Sequence, residues 1–271
     1  MDFKTACQAV HLACESMGIR AIERFTGLHR DTVLAILAEA GEKAQRFMDE
    51  KIRDVKASWV EVDEIHSFVF KKINDAETPE QGEFFTFLSI DSSSKMIINS
   101  LVGKRTSANA DAFLTDLKHR MGMRFQLSTD AWHGYFRGGG AVRRVFGHDV
   151  DYATETKVFN KQDPSLKPTY QTPYVVAIKR IQRIGNPDMD LATTTHAERL
   201  NLSVRTFSKR FTRKTICFSK KLENHKLAVS LFAWHYNFAR KHSAHGRTPA
   251  MAANLTNRPW TIAEMLAHTS V

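Results

Sequence analysis

The segment Thr195-His196-Ala197-Glu198-Arg199-Leu200-Asn201 puts a carboxylate at the head of a strongly basic stretch with helical periodicity. Two aspartates lie upstream, Asp63 in Val60-Glu61-Val62-Asp63-Glu64 and Asp130 in Leu127-Ser128-Thr129-Asp130-Ala131-Trp132. Each sits in or at the end of an apolar run patterned as a strand. Asp130 lies 67 residues after Asp63, and Glu198 lies 68 after Asp130, long enough for whole elements in between. The ordered set Asp, Asp, Glu therefore constrains the fold: two strand positions and one helix start must meet. Three carboxylates so placed suit two Mg2+ or Mn2+ ions about 3.5–4 Å apart, an arrangement that activates attack on a phosphodiester.

Charge points to the same class of partner. The 271 residues carry 39 Lys and Arg against 29 Asp and Glu, a formal net charge of +10, which favours a polyanion such as double-stranded DNA. The excess is concentrated. Nine Lys or Arg lie between Arg199 and Lys226, with Glu223 the one acid among them. Hydrophobic residues at 42% and charged residues at 25% exclude wholesale disorder. Cys7, Cys14 and Cys217 form no ligand cluster and are expected to be thiols without structural zinc, in a reducing compartment. No apolar run approaches the ~20 residues of a membrane span. The start of the chain, with Asp2 and Glu15, lacks the pattern of a signal peptide, so a cytoplasmic, nucleoid-associated location is expected.

Residues 1–50 have helical spacing throughout. Phe3, Cys7, Val10, Cys14 and Met17 describe one stripe, Gly18 ends it, and Ile19, Ile22 and Phe25 begin a short second helix that stops at Gly27. A third helix is expected from His29 to Ala40, with a charged helical connector from Gly41 to Asp54. This outline is that of a helix-turn-helix, with His29, Arg30, Asp31 and Thr32 opening the recognition helix and Arg30 and Thr32 as DNA contacts. A plain packing bundle has the same outline.

Residues 51–271 form the second expected domain. Strand patterns cover 57–70, 84–91, 96–102 and 125–130, with a helix capped by Ser107 or Asn109 before the last of these. Three antiparallel strands, a helix and another strand make a mixed α/β core. The pattern is poor from Trp132 to Pro173, where Gly138-Gly139-Gly140, Asp163-Pro164 and Lys167-Pro168 mark irregular chain. A strand over 174–184, helices over 195–213 and 219–242, and a last helix capped by Thr261 and Glu264 complete the chain.

On the 195–213 helix, Glu198, Asn201, Arg205 and Lys209 share one polar stripe, while Ala197, Leu200, Val204, Phe207 and Phe211 share an apolar one. A carboxylate followed by phosphate-binding Arg199, Asn201, Arg205 and Lys209 is what a DNA-handling helix needs. A solvated basic face has the same pattern. Glu61 is expected to support Asp63, Glu64 to point to the opposite face, and Asp91 to be a turn residue. His133 and His196 stand beside Asp130 and Glu198, where either a proton-transfer or a passive role fits.

Val62-Asp63-Glu64-Ile65-His66-Ser67-Phe68-Val69, Ser128-Thr129-Asp130-Ala131-Trp132, Thr195-His196-Ala197-Glu198-Arg199-Leu200-Asn201 and Arg247-Thr248-Pro249-Ala250-Met251-Ala252-Ala253 resemble blocks of the transposases of the insertion-sequence-one type, in the same order and spacing. The resemblance covers nearly the whole chain. It implies a ribonuclease-H-like mixed sheet with flanking helices behind a helix-turn-helix, and magnesium-dependent DNA cleavage and strand transfer. By position it implies Asp63, Asp130 and Glu198 as the catalytic, metal-binding triad, with Arg205 and Lys209 as basic residues on the glutamate's helix. Fuller members carry a cysteine-rich zinc ribbon ahead of the helix-turn-helix. This sequence shows none, so recognition of element ends is expected to rest on the helix-turn-helix.

The expected protein is thus a homo-oligomeric Asp-Asp-Glu DNA transposase. Its rivals are a DNA nuclease of the same fold and an inactive copy acting as a DNA-binding repressor.

Overall fold

The computed structural model describes residues 2–160, 173–212 and 215–268. The chain around Asp163-Pro164 and Lys167-Pro168, and the expected helix end at Arg213, lie outside these residues. Helices α1 (Phe3–Cys14), α2 (Ile19–Thr26) and α3 (Arg30–Lys51) come first. Strands β1 (Trp59–Val69), β2 (Gly82–Asp91) and β3 (Ile97–Gly103) follow, then helix α4 (Ser107–Arg120) and strand β4 (Gln126–Asp130). Short helices α5 (His133–Phe136) and α6 (Ala141–Phe146) lead to β5 (Asp151–Phe159) and β6 (Val175–Ile184). Helices α7 (Thr195–Phe207), α8 (Leu222–Trp234), α9 (Pro249–Ala252) and α10 (Ile262–Ala267) end the chain. Among the described residues no helix is long and apolar enough to cross a membrane.

The strands form one sheet in the order β3-β2-β1-β4-β5-β6. β1, β2 and β3 are antiparallel neighbours, β4 and β5 run parallel to β1, and β6 is antiparallel to β5. With α4 carrying the crossover from β3 to β4, this is the expected ribonuclease-H-like mixed sheet with flanking helices. Alternation along β1 divides the flanks. Glu64 is paired with Phe87, whose ring meets Phe113 of α4 at 5.7 Å, so this face lies under α4 and α5. The other face carries Glu61, Asp63 and Ser67 toward α7 and α8, where Ser67 Oγ lies 3.1 Å from His225 Nε2.

Three findings depart from the expected elements. Gly41 does not separate a recognition helix from a connector, because α3 runs unbroken to Lys51. A Cβ at Gly41 would stand 2.6 Å from the Leu227 carbonyl oxygen, so the glycine is there to let α8 approach. Phe47, further along α3, then packs its ring against Trp234 at 6.2 Å and Trp260 at 4.7 Å, within the core cluster that includes the sheet. The second departure is β5, absent from the sequence-based elements. Its alternation is of polar residues, and Thr154 and Glu155 are buried with Tyr152 and Ala153. The third is α8, which passes after Trp234 into a π-helical turn, His235–Ala239, so that the regular α-helix ends early while the helical chain stops just short of His242. The capping box at Thr261 and Glu264 is present as expected.

Two predictions concern stability. Gly41→Val should drive its side chain into the Leu227 backbone and cost about 1–3 kcal/mol, read as a lower urea midpoint at unchanged m-value; an unchanged midpoint would show that the helices part freely. The second concerns acid. His225 is wholly buried between Ser67 and Ser219, and burial, with Arg210 adding, lowers its pKa to about 3. His235 is lowered to about 4 by burial, with Arg240 adding. Unfolded histidines take up protons near pH 6.5, so stability should fall from there downward by up to about 1.4 kcal/mol per pH unit for each buried ring. His225→Gln should flatten that slope between about pH 6.5 and 4.5, and parallel slopes for the two proteins would refute the assignment.

Candidate active site

The register of β1 and β4 brings the two aspartates together. The parallel ladder ends at Val62 paired with Thr129, so Asp63 and Asp130 each stand one residue beyond the last pair. Since β4 stops at Asp130, β1 has no strand neighbour on that side past this point among the described residues. Side chains from both faces of β1 can converge in the resulting notch. Glu64 does so. It projects to the face opposite Asp63, yet one oxygen each from Asp63, Glu64 and Asp130 lie within 4.8 Å of one another. Strand alternation alone, which correctly puts Glu64 on the face opposite Asp63, gives no reason to count it in the site. Its extra methylene and the gap beside β1 bring it back.

Each carboxylate is held differently. Asp63 accepts from the Glu64 amide at 2.8 Å and from Asn201 Nδ2 at 2.8 Å. Burial raises its pKa to about 6; the Glu64 amide opposes the rise, and the nearby Asp130 and Glu198 charges reinforce it. Glu64, with a side chain only 1% exposed, accepts from the Tyr135 hydroxyl and ion-pairs with Arg105 at 2.8 Å. Burial and then Asp130 push it up to about 7, against the Tyr135 hydroxyl and Arg105. Asp130 accepts from the Trp132 amide at 3.0 Å and from Arg105 Nη2 at 2.9 Å.

Glu198 lies in the first turn of α7 but outside the 4.8 Å group. Its Oε2 meets Lys157 Nζ of β5 at 2.5 Å, and its Oε1 accepts from Thr194 Oγ at 3.2 Å. The helix that carries it is fixed by another carboxylate. Glu61, buried on β1, accepts from the His196 amide at 2.7 Å, the Ala197 amide at 3.0 Å and Ser92 Oγ at 3.0 Å, and its Oε1 lies 2.6 Å from His196 Nδ1. Glu155 of β5, in register with Asp130, holds the preceding turn by accepting from the Thr194 amide at 3.3 Å. Orphan amides at a helix start and the positive end of its dipole make this a favourable seat for carboxylates.

The DNA-contact residues expected from the sequence divide. Asn201 is only 5% exposed and donates to Asp63; a side chain so enclosed orients the aspartate and does not reach a duplex. Lys209 leaves the stripe of Glu198 because α7 ends at Phe207, after which residues 209–211 form a separate 3-10 turn. Arg199 is exposed on α7, and Arg205 is half-buried in its last turn. Arg30 and Thr32 are exposed at the start of α3. Arg30 and Lys209 line one cavity of about 780 Å3 between the first helices and the basic segment after α7, along with Arg20, Arg210, Lys220 and Lys221. His196 is engaged with Glu61, and His133 is exposed at the start of α5. Arg105, Tyr135, Lys157 and Glu155 escaped sequence reasoning. No local motif marks the first three, whereas the alternation of Tyr152, Thr154, Thr156 and Val158 was a signal for β5.

The cluster is chemically suited to a divalent ion. Its donors are hard oxygens from three carboxylates. Two of them are pushed toward neutrality by burial, and Asn201 Oδ1 beside them is buried with no hydrogen-bond partner.

No family model matches the chain, and no curated protein matches it. Solved structures similar to it include transposase and intasome complexes. A chain of the simian T-cell lymphotropic virus intasome in complex with PP2A regulatory subunit B56 gamma is 13% identical, over 93% of this chain and 76% of that one, with a TM-score of 0.46. A chain of the piggyBac transposase synaptic complex with hairpin DNA is 10% identical over 97% and 70%, with a TM-score of 0.39. A chain of the pre-cleavage Mos1 transpososome is 14% identical over 54% and 57%, with a TM-score of 0.23. At these values the likeness is coarse.

Asp63 supplies a prediction. Its folded pKa, about 6, lies above that of an unfolded aspartate, so its contribution favours the fold at low pH and is lost as pH rises through 6. In metal-free buffer at pH 8, Asp63→Asn should therefore raise Tm by a few degrees, with the gain shrinking as pH falls below 6 and vanishing only below about pH 4, the unfolded aspartate's pKa. A lower Tm for the variant at pH 8 would overturn this sign.

Proposed function

We propose that the chain is a DNA transposase that cleaves at the ends of an insertion element and joins them to target DNA, with Asp63, Asp130 and Glu198 as its catalytic carboxylates. One observation carries this reading: β1 and β4 end their parallel pairing at two aspartates, beside a helix whose first turn bears Glu198 and whose start is seated on Glu61. Asp63, Asp130 and Glu198 would hold two Mg2+ or Mn2+ ions, with Glu64 adjoining them. When bound, the ions supply Lewis acidity that polarises the phosphodiester and stabilises the charge of the leaving oxygen. Water would attack the phosphorus at the element end, breaking its bond to the 3′ oxygen, and the 3′-hydroxyl so released would attack a target phosphodiester in line, forming a bond from the element's 3′ oxygen to phosphorus as the target's own 3′ oxygen leaves.

The remaining residues position and attract. Asn201 holds one Asp63 oxygen, so the aspartate keeps its orientation as the substrate enters. Glu61 keeps Glu198 in reach through the backbone of α7. Arg199, Arg205 and Lys209, with Arg30 and Thr32 at the start of α3, would track the phosphates of a duplex. A chain that must hold two element ends is expected to act as a homo-oligomer on DNA, in the cytoplasm at the nucleoid.

The test is cleavage and joining of a labelled duplex carrying the flanking element end, with Mg2+ or Mn2+. Wild type should cut and join, and Glu198→Gln and Asp63→Asn should each lower the rate at least about 100-fold, the loss expected when a ligand of a Lewis-acid site is removed. Cutting without joining would favour a nuclease of the same fold. DNA binding by all three proteins with no cutting in either metal would favour a DNA-binding repressor.

A further inference from the structure

We infer that Arg105 is a resident cation of this site, holding in the metal-free protein the place between Glu64 and Asp130 that a divalent ion would take, so that ion entry and guanidinium release are one exchange. The inference rests on the metal-binding part of the proposed function. Arg105 lies in the link between β3 and α4, remote in sequence from every carboxylate it meets. One nitrogen does the bridging: Nη2 is 2.8 Å from Glu64 Oε2 and 2.9 Å from Asp130 Oδ2. A single positive atom shared by two carboxylates from different strands is the contact pattern of a bridging cation.

The surroundings favour release. Arg105 Nε is buried without a hydrogen-bond partner, so that nitrogen contributes no anchor. The guanidinium carbon lies 4.8 Å from the Trp132 ring and 5.6 Å from the Phe85 ring, faces along which a planar cation can slide while staying attracted. Charge also leaves room for an ion. Three carboxylates gather within 4.8 Å, and one guanidinium offsets one of them. An independent observation adds to this: Asn201, nine-tenths buried and bound to Asp63 through Nδ2, has no hydrogen-bond partner for its Oδ1. Once released, the planar fork suits the phosphate of an arriving strand, so exchange would couple ion loading to substrate capture.

Calorimetric titration of Mn2+ into the full chain without DNA tests this. Arg105→Gln should bind Mn2+ at least about tenfold more tightly than wild type, because a competing like charge has been removed from contact range. Arg105→Lys, which keeps the charge, should stay near wild type, and Asp130→Asn combined with Arg105→Gln should lose the gain. If Arg105→Gln fails to unfold cooperatively, Arg105→Met keeps the stem against Trp132 and takes its place. Equal or weaker Mn2+ binding by the folded variant would overturn the exchange while leaving the metal site standing. Absence of Mn2+ binding in every protein would instead remove the metal-site reading, and the inference with it.

Discussion

The seat of α7 on Glu61 is the interaction on which the rest of the site depends. A carboxylate buried on a central strand is costly unless its oxygens are satisfied, and here both are taken by the start of a helix and its neighbours. The pairing serves both partners: the helix start has amides without intrahelical acceptors, and the strand has a charge in need of donors. Once the first turn is fixed, its later residues have no freedom of placement. Asn201 arrives over Asp63, and Leu200 and Val204 go into the core. Glu198 is thereby set at the rim, half-exposed and turned to Lys157.

The same logic shapes the electrostatics. A fold that gathers Asp63, Glu64 and Asp130 must manage their repulsion before any ion or substrate arrives. Two means are visible. Burial raises Asp63 and Glu64 toward neutrality, which lessens the charge they bring together. Cations from elsewhere cover what remains, Arg105 on Glu64 and Asp130, and Lys157 on Glu198. Glu155, also buried, is matched by Arg180 at 3.2 Å. None of these cations lies in the same element as the acid it meets, so each contact also ties two parts of the fold together.

The N-terminal helices are bound into this structure more closely than their composition suggests. α3 starts in the small cluster of Ala9, Ile22 and Val33 and ends in the main core through Phe47 and Met48. Its exposed start carries Arg30 and Thr32, while its far half is packed on α8 through the gap left at Gly41. A 22-residue helix is stiff, so the position of its start relative to the sheet is set by where its end is packed.

Much of this was legible in the chain. The runs that hold Asp63 and end at Asp130 read as strands because alternation is a local property, and the start of α7 reads as a helix because helical spacing is local too. Net charge and the basic stretch after Glu198 raise the expectation of a polyanionic partner without any structure. Other features had little or no local trace. β5 left only a mostly polar alternation, and the partners of its buried residues, Thr129 for Tyr152 and Arg180 and Thr194 for Glu155, come from elsewhere in the chain, as does its neighbour order in the sheet. Asn201 reads as a surface residue of a basic stripe until Asp63 appears above it. Glu64 joins the cluster only because β4 is short enough to open the edge of β1, and Arg105 joins because the link from β3 to α4 passes that opening. Sequence by itself determined most of the elements and the kind of chemistry the chain can carry, since both follow from periodicity, charge and residue type. The tertiary structure alone decided which side chains share the site, because that depends on strand register, strand length and the seating of one helix, each set by contacts between residues far apart in the chain.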